Sequence, residues 1–462
     1  MSTEPAFATI PELARAYRDG RANPVEAIEA CLSRIESLDG RLGAYQCVYA
    51  EQARDAAAGA HAAIRSGHLI GPFHGIPFAL KDIIDLEGRI TCAGHAGWRE
   101  RVSPVTATIA RRLFAAGGVL LGKTNTVEVA MGGWGTNQHM GTPHNPWDMA
   151  VARTPGGSSA GSGVAVAAGL ASAAVGTDTG GSVRLPAAWC GITGLKVTEG
   201  RLPTDGIVPL SHTLDTPGPM VRGVEGALLM YQAMAGVHPS DSERAWRAGS
   251  GAFGALRAGV AGLELGILGD DDRAGVAPDI LALYDEAVAA LRRLGAVCKP
   301  FHAPLSFEQM RDGTGAIIGC EGYFHHGAMY DDAQAPVDTD CRPRILLGKG
   351  VSARDYIAAL RRRSEDQARF ACTMDGIAAL LSPTVATAAV PLDEVDQSGT
   401  PAGFTRAANY LGLCALATPM GLTADRLPGS LQITARANDE AMALRVGAAY
   451  ERVAPDIGHP QI

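Results

Sequence analysis

Apolar residues recur at helical spacing over residues 8–66, in "TIPELARAYRDG", "NPVEAIEACLSRIESLDG" and "YAEQARDAAAGAHAAIRSG". Each stretch ends at or near a glycine, and Pro11 and Pro24 stand near two of the starts, so the pattern predicts two or three helices. From Gly75 the pattern shortens. "IPFALKDII" and "GVLLGKTN" read as buried strands, with the helical "VTATIARRLFAAG" between them. That alternation predicts an α/β fold with a largely parallel or mixed sheet. "LELGILGDD", "DILALYDEAVAALRRLGA" and "VCKPF" repeat it. Residues 305–376 read as mainly helical, beside a pocket, and the stretch from "ALLSPTVAT" to "DEAMALRVGAAYERV" returns to α/β. The Pro- and Gly-rich segment from Gly191 to Arg222 reads as irregular surface loops.

Composition narrows the class. Of 462 residues 47% are apolar and 19% charged, which supports a large core and excludes a disordered chain. A net charge of −8 with no Lys/Arg run speaks against nucleic acid or an anionic membrane as a partner. The N-terminus lacks a basic-then-apolar leader, and no apolar stretch reaches the roughly 18 residues that span a bilayer, so a soluble cytoplasmic protein is expected. Nine scattered cysteines without C-x-x-C fit reduced thiols better than a disulfide framework or a zinc ribbon.

Two literal motif matches fail on context. "GGVLLGKT", Gly117 to Thr124, fits a phosphate loop, but its interior is an apolar strand preceded by a helix, the reverse of what an anion-cradling turn needs. "GSSAG" would make Ser159 an elbow nucleophile. It lacks a good strand before it, and the last histidine, His459, lies only three residues from the C-terminus. His325 and His326 are adjacent on a helical segment and have no partners at ligand spacing, so no metal site is expected.

What remains is "GGSSAGSG" followed by "GTDTGGSVR". "SAAVGTD" reads as a strand leading to Thr179-Gly180-Gly181, and Ser182 opens a helical "SVRLPAAWCG". Glycines before a helix start let backbone N–H groups turn inward, as a hole for an oxyanion requires, with Ser182 at its rim. A tight turn with Ser182 as a helix cap explains the same residues. The base is the open question, and Lys81 stands alone inside an apolar strand. Burial can lower a lysine pKa from about 10.4 toward neutrality, and strand alternation sends Asp82 to the opposite face. Taken alone, Lys81 reads more readily as a lysine paired to a carboxylate at a strand end.

The stretch "PGGSSAGSGVAVAAGLASAAVGTDTGGSVRLPAAWCGITGLK" closely resembles the signature of the amidase signature family of serine hydrolases, and "GIPFALKD" resembles that family's lysine motif. "GVLLGKTN", "GTPHNPWD", "GRLPTDGIVPLSHTLDTPGPM", "LSPT" and "LPGSLQ" extend the likeness over residues 8–232 and 378–452. Ala160 and Ser430 depart from positions where the family commonly shows glycine.

The resemblance implies one amidase domain over 1–462, a central mixed, twisted β-sheet flanked on both faces by helices. Its parts would be an N-terminal helical segment (1–66), a signature core (67–232), a strand–helix unit with a variable helical insertion (233–376) and a C-terminal return (377–462). It implies a Ser–cis-Ser–Lys triad, with Ser182 as nucleophile, Ser158 as bridging serine and Lys81 as base. The oxyanion donors would be backbone N–H groups of Thr179, Gly180, Gly181 and Ser182. Asp178 and Arg184 would brace the loop, and Ala130 and Met131 would line the acyl pocket. The implied reaction is hydrolysis of a small linear amide through an acyl-enzyme, with no metal or organic cofactor and with a homodimer left open. Alternatives are a glutaminase-type subunit of a tRNA-dependent amidotransferase, a carbamate or urea-type hydrolase, and a silent binding protein. "HTLDTPGPM" is more similar to the free-standing hydrolases than to the "SLDQ"-like sequence of the tRNA-linked subunits.

Overall fold

The computed structural model describes residues 4–462. Eleven strands build one sheet: β1 (Tyr45–Val48), β2 (Pro77–Lys81), β3 (Val119–Thr124), β4 (Ala173–Asp178), β5 (Thr193–Lys196), β6 (Thr216–Val221), β7 (Glu264–Leu268), β8 (Val297–Phe301), β9 (Ala379–Pro383), β10 (Cys414–Leu422) and β11 (Pro428–Ala435). Their spatial order is β1-β3-β2-β4-β6-β5-β10-β11-β9-β7-β8. β2 runs parallel to β3 and β4, and β7 runs parallel to β8 and β9. Between these parallel flanks, from β4 to β9, every pairing is antiparallel. The sheet is mixed, as the alternation predicts.

Alternate residues of one strand belong to different cores, which shows that both faces are covered. Phe78 and Leu80 join one apolar cluster with helix Val224–Ala235 and helix Glu440–Glu451, whereas Ala79 joins another with helices Pro24–Leu42 and Ala160–Ala167. Ala173 and Val175 divide from Ala174 in the same way, as does Leu416 from Ala417. The small residues of helix Ala160–Ala167, "AGSGVAVA", are all buried. A Cβ on Gly161 would fall 2.2 Å from Ala44 O, so glycine there lets the helix lie directly on its neighbours.

Three helices form in the N-terminal segment, Ile10–Arg18, Pro24–Leu42 and Ala50–Arg65, the first two with Pro in the first turn and capping boxes from Thr9 and Asn23. Residues 305–376 carry helices Phe307–Asp331, Cys341–Leu346 and Ala353–Thr373. The Gly117–Thr124 match to a phosphate loop is a turn entering β3.

Two expectations need correction. The stretch from Gly191 to Arg222 is not all loop, because it supplies β5 and β6 at the middle of the sheet. β6 carries Pro217 and Pro219, two apart, so both missing N–H groups fall on one edge. The β5–β6 ladder is short, Thr193↔Val221 and Gly194↔Met220, and stops before those prolines. The prolines hid a strand that the ladder accommodates. β1 was also hidden, a four-residue strand squeezed between two helices and paired antiparallel to β3.

Candidate active site

β2 and β4 are adjacent and parallel, with Leu80 opposite Val175, so Lys81, Thr177 and Asp178 emerge at the same end. Lys81 is fully buried. Its Nζ donates to Ser158 Oγ at 2.7 Å and to Thr177 Oγ1 at 2.8 Å. Burial pushes its pKa down to about 7, against the opposing pull of Asp215 and Asp178. The other two buried lysines are held differently. Lys196 Nζ donates to two backbone carbonyls, of Val197 and Leu413. Lys123 Nζ lies 2.7 Å from Asp82 Oδ1 and also donates to Ile90 O at 3.1 Å and to Thr91 Oγ1. Carbonyls and a carboxylate only accept, whereas a hydroxyl accepts one proton while donating another. Lys81 is the buried lysine held by hydroxyls alone, with neither a carboxylate nor a carbonyl among its hydrogen-bond partners.

The peptide bond between Gly157 and Ser158 is cis. A Cβ on Gly157 would fall 2.6 Å from Gly132 O and Gly135 N, so only glycine fits there. Ser158 O accepts from Thr126 Oγ1 at 2.9 Å and Val127 N at 3.2 Å, which anchors the turn to the β3 side. Ser159 N–H donates to Ser182 O at 3.3 Å, joining the loop of Ser158 to the loop of Ser182. The remaining serines of this region are occupied elsewhere. Ser159 Oγ accepts from Thr177 N and faces Thr177 O, and Ser162 Oγ pairs with Thr124 Oγ1 at 2.7 Å.

Asp178 and Arg184 organise the loop between β4 and helix Arg184–Trp189. Asp178 accepts from the N–H of Gly181 at 2.7 Å and of Val183 at 3.2 Å, and from Arg184 Nη2 and Nε at 2.9 and 3.0 Å. Burial alone would raise the Asp178 pKa, but the Arg184 charge and hydrogen bonds, helped by Lys196 and Asn409, bring it to about 2. Arg184 reaches on to Thr405 O, Gln432 Oε1 and Asn409 Oδ1, each at 2.7 Å.

This arrangement corrects one expected donor. The Gly181 N–H is taken by Asp178, so in this conformation it does not point at a ligand. The N–H groups of Thr179, Gly180 and Ser182 donate to no protein acceptor among the described residues. Gly181, at φ 135°, is needed for packing instead: a Cβ there would fall 2.3 Å from Thr405 Oγ1.

Ser182, Thr179 and Gly180 line a cleft with Ala130, Met131 and Leu185. Ser182 is 7% exposed, while Ser158 and Lys81 lie beneath it with no exposure. Val129 and Ala130 hold left-handed backbone at φ 42° and 62°, a conformation costing on the order of 1–3 kcal/mol for a residue with a side chain. The helical insertion supplies Ile318 and Arg344 to the same cleft, and Arg406 enters from helix Thr405–Tyr410. His325 and His326 lie elsewhere on helix Phe307–Asp331, against His212 and Pro209 O.

A family profile described as Amidase matches residues 26–444. The chain belongs to the amidase signature family. Among curated relatives of this amidase, a glutamyl-tRNA(Gln) amidotransferase subunit of Moorella thermoacetica is 35% identical, with 96% of each chain covered. The 2-amino-5-chloromuconic acid deaminase of Comamonas testosteroni is 34% identical, also with 96% of each covered. The peptide amidase of Stenotrophomonas maltophilia superposes with a TM-score of 0.82 at 29% identity, covering 98% of both chains. The amidase is therefore a family enzyme acting on C–N bonds.

Sequence reasoning had not named Thr177, Asp215, Arg344 or Arg406. Thr177 sits inside the quoted "GTD" and could have been found by asking what else reaches Lys81. Asp215, which accepts from Thr179 Oγ1 and from the N–H of Leu210 and Ser211, comes from a segment read as loop. The two arginines come from segments with no motif.

Proposed function

We propose that the chain is a free-standing amidohydrolase cleaving a small linear amide through an acyl-Ser182 intermediate. The observation that carries this reading is Lys81, a fully buried amine near neutrality whose partners are the hydroxyls of Ser158 and Thr177. Neutral Lys81 accepts the Ser158 proton as Ser158 accepts that of Ser182, and Ser182 Oγ attacks the amide carbon. The oxyanion develops toward the open N–H groups of Thr179, Gly180 and Ser182. The proton returns through Ser158 to the departing amine, and water cleaves the acyl-enzyme by the same route. No step calls for a metal or an organic cofactor.

The test is an amide, ester and carbamate panel on wild type, Lys81→Ala and Ser182→Ala. Full activity in Ser182→Ala overturns the assignment. A second reading is favoured by the relatives named as glutamyl-tRNA(Gln) amidotransferase subunits. Under it the same triad releases ammonia from glutamine for a partner protein. Glutaminase activity that appears only on adding partner subunits would select it over the free-standing reading.

A further inference from the structure

Arg406 is one of two cations in the cleft that the chemistry above leaves unused. Its Nη1 donates to Arg311 O at 3.1 Å. Its Nε is shut off from solvent and has no partner, and Nη2 donates to no acceptor among the described residues. Nε and Nη2 form one side of the guanidinium fork, the pair of parallel N–H groups that grips a carboxylate through both oxygens. Arg406 is half-buried, and an enclosed Nε–H without an acceptor is unfavourable unless a ligand supplies one.

The position of this edge is informative. A Cβ on Gly180 would touch Arg406 Cγ and Nε at 3.4 Å each, and Ile318 Cδ1 at 3.5 Å. Arg406 therefore lies against the backbone whose N–H would face the oxyanion. A Cβ on Gly315 of helix Phe307–Asp331 would fall 3.1 Å from Nη1, so the side chain is clasped between that helix and the loop. The lining carries a second cation, Arg344, whose Nη2 is engaged by Gln397, and it carries no carboxylate. Burial and the like charges of Arg311 and Arg344 push the Arg406 pKa down to about 10 against the opposing pull of Asp312, which still leaves it charged at neutral pH.

We propose that Arg406 binds a carboxylate of the substrate, and that the enzyme acts on amides bearing a carboxylate a short chain away from the scissile carbonyl, such as monoamides of small dicarboxylic acids. This substrate class rests on the hydrolase reading above. A carboxylate gripped by Nε and Nη2 lies beside Gly180 while the amide carbonyl reaches the open N–H groups, a span of two or three carbons.

The test compares succinamic acid with 4-methylpentanamide and glutaramic acid with 5-methylhexanamide, pairs in which an isopropyl group replaces the carboxylate. Wild type should favour the acid of each pair by about 100-fold in kcat/KM, the size of one or two charge-assisted hydrogen bonds. That ratio should fall about 100-fold in Arg406→Gln and partly in Arg406→Lys, which keeps the charge without the fork. Equal kcat/KM within each pair for wild type, or an unchanged ratio in Arg406→Gln, overturns the proposal and leaves the hydrolase reading standing. Calorimetric binding of succinate and glutarate, expected for wild type and lost in Arg406→Gln, requires no turnover. If no amide is hydrolysed and a fluorophosphonate fails to label Ser182, the hydrolase reading fails, and dicarboxylate binding alone then decides Arg406: its absence from wild type overturns the proposal.

Discussion

Lys81 and Asp82 are consecutive in the chain, yet their side chains do not pair with each other. Lys81 Nζ is held by two hydroxyls, while Asp82 Oδ1 faces Lys123 Nζ at 2.7 Å. Alternation along β2 separates them, and the carboxylate that would keep Lys81 protonated is occupied by another lysine.

The two lysines should therefore fail differently. Lys123→Met leaves the buried Asp82 carboxylate uncompensated and should cost about 3–5 kcal/mol in denaturant unfolding. Lys81→Met should lower kcat by about 10²–10⁴-fold, the range of a lost general base. It should not lower Tm, because it removes a polar group buried for function rather than for packing. Comparable activity losses in both variants would contradict this division.

The pH profile follows from the same residue. Burial lowers the Lys81 pKa from 10.5 to about 7, so the neutral base accumulates as pH rises through 7. For a neutral amide, kcat/KM should climb about tenfold per pH unit below that point and level off above it. Thr177→Val removes one acceptor of the ammonium form, so its inflection should move to lower pH.

Asp178→Asn breaks the buried pair with Arg184 and weakens the hold on the N–H groups of Gly181 and Val183. Unfolding should show a loss of about 3–5 kcal/mol. The acid limb has a definite sign. The folded pKa is depressed to about 2, so this stabilisation is complete above the unfolded value near 4 and is lost as pH falls toward 2. Between pH 5 and pH 3 wild type should lose more Tm than the variant does.

Ser159→Ala tests the bystander directly. Its hydroxyl holds only the Thr177 backbone, so kcat should stay within about threefold of wild type and stability should drop by about 1 kcal/mol. A loss of several orders of magnitude would move the nucleophile from Ser182 to Ser159.

The strands that frame the site were readable because β2, β3 and β4 are buried on both faces and show as unbroken apolar runs. Lys81 was readable because a charge inside such a run demands an explanation. β6 was not, since Pro217 and Pro219 argue against a central strand unless the length of the neighbouring ladder is known. Asp178 could be placed as a brace, but its capture of the Gly181 N–H depends on loop coordinates that no spacing encodes. Arg406 and Arg344 reach the cleft by tertiary approach from segments far along the chain from Thr179, and neither sits in a recognisable pattern.

Helix Thr405–Tyr410 carries two kinds of residue on its six positions. Thr405 and Asn409 are bonded into the Arg184–Asp178 cluster behind Ser182, whereas Arg406 faces the cleft. On the role proposed for Arg406, a change at 405 or 409 loosens the machinery itself, whereas a change at 406 alters which molecules are admitted. On that role, substrate choice and the hold on the catalytic loop occupy neighbouring positions of one short helix, and a single substitution at 406 separates them.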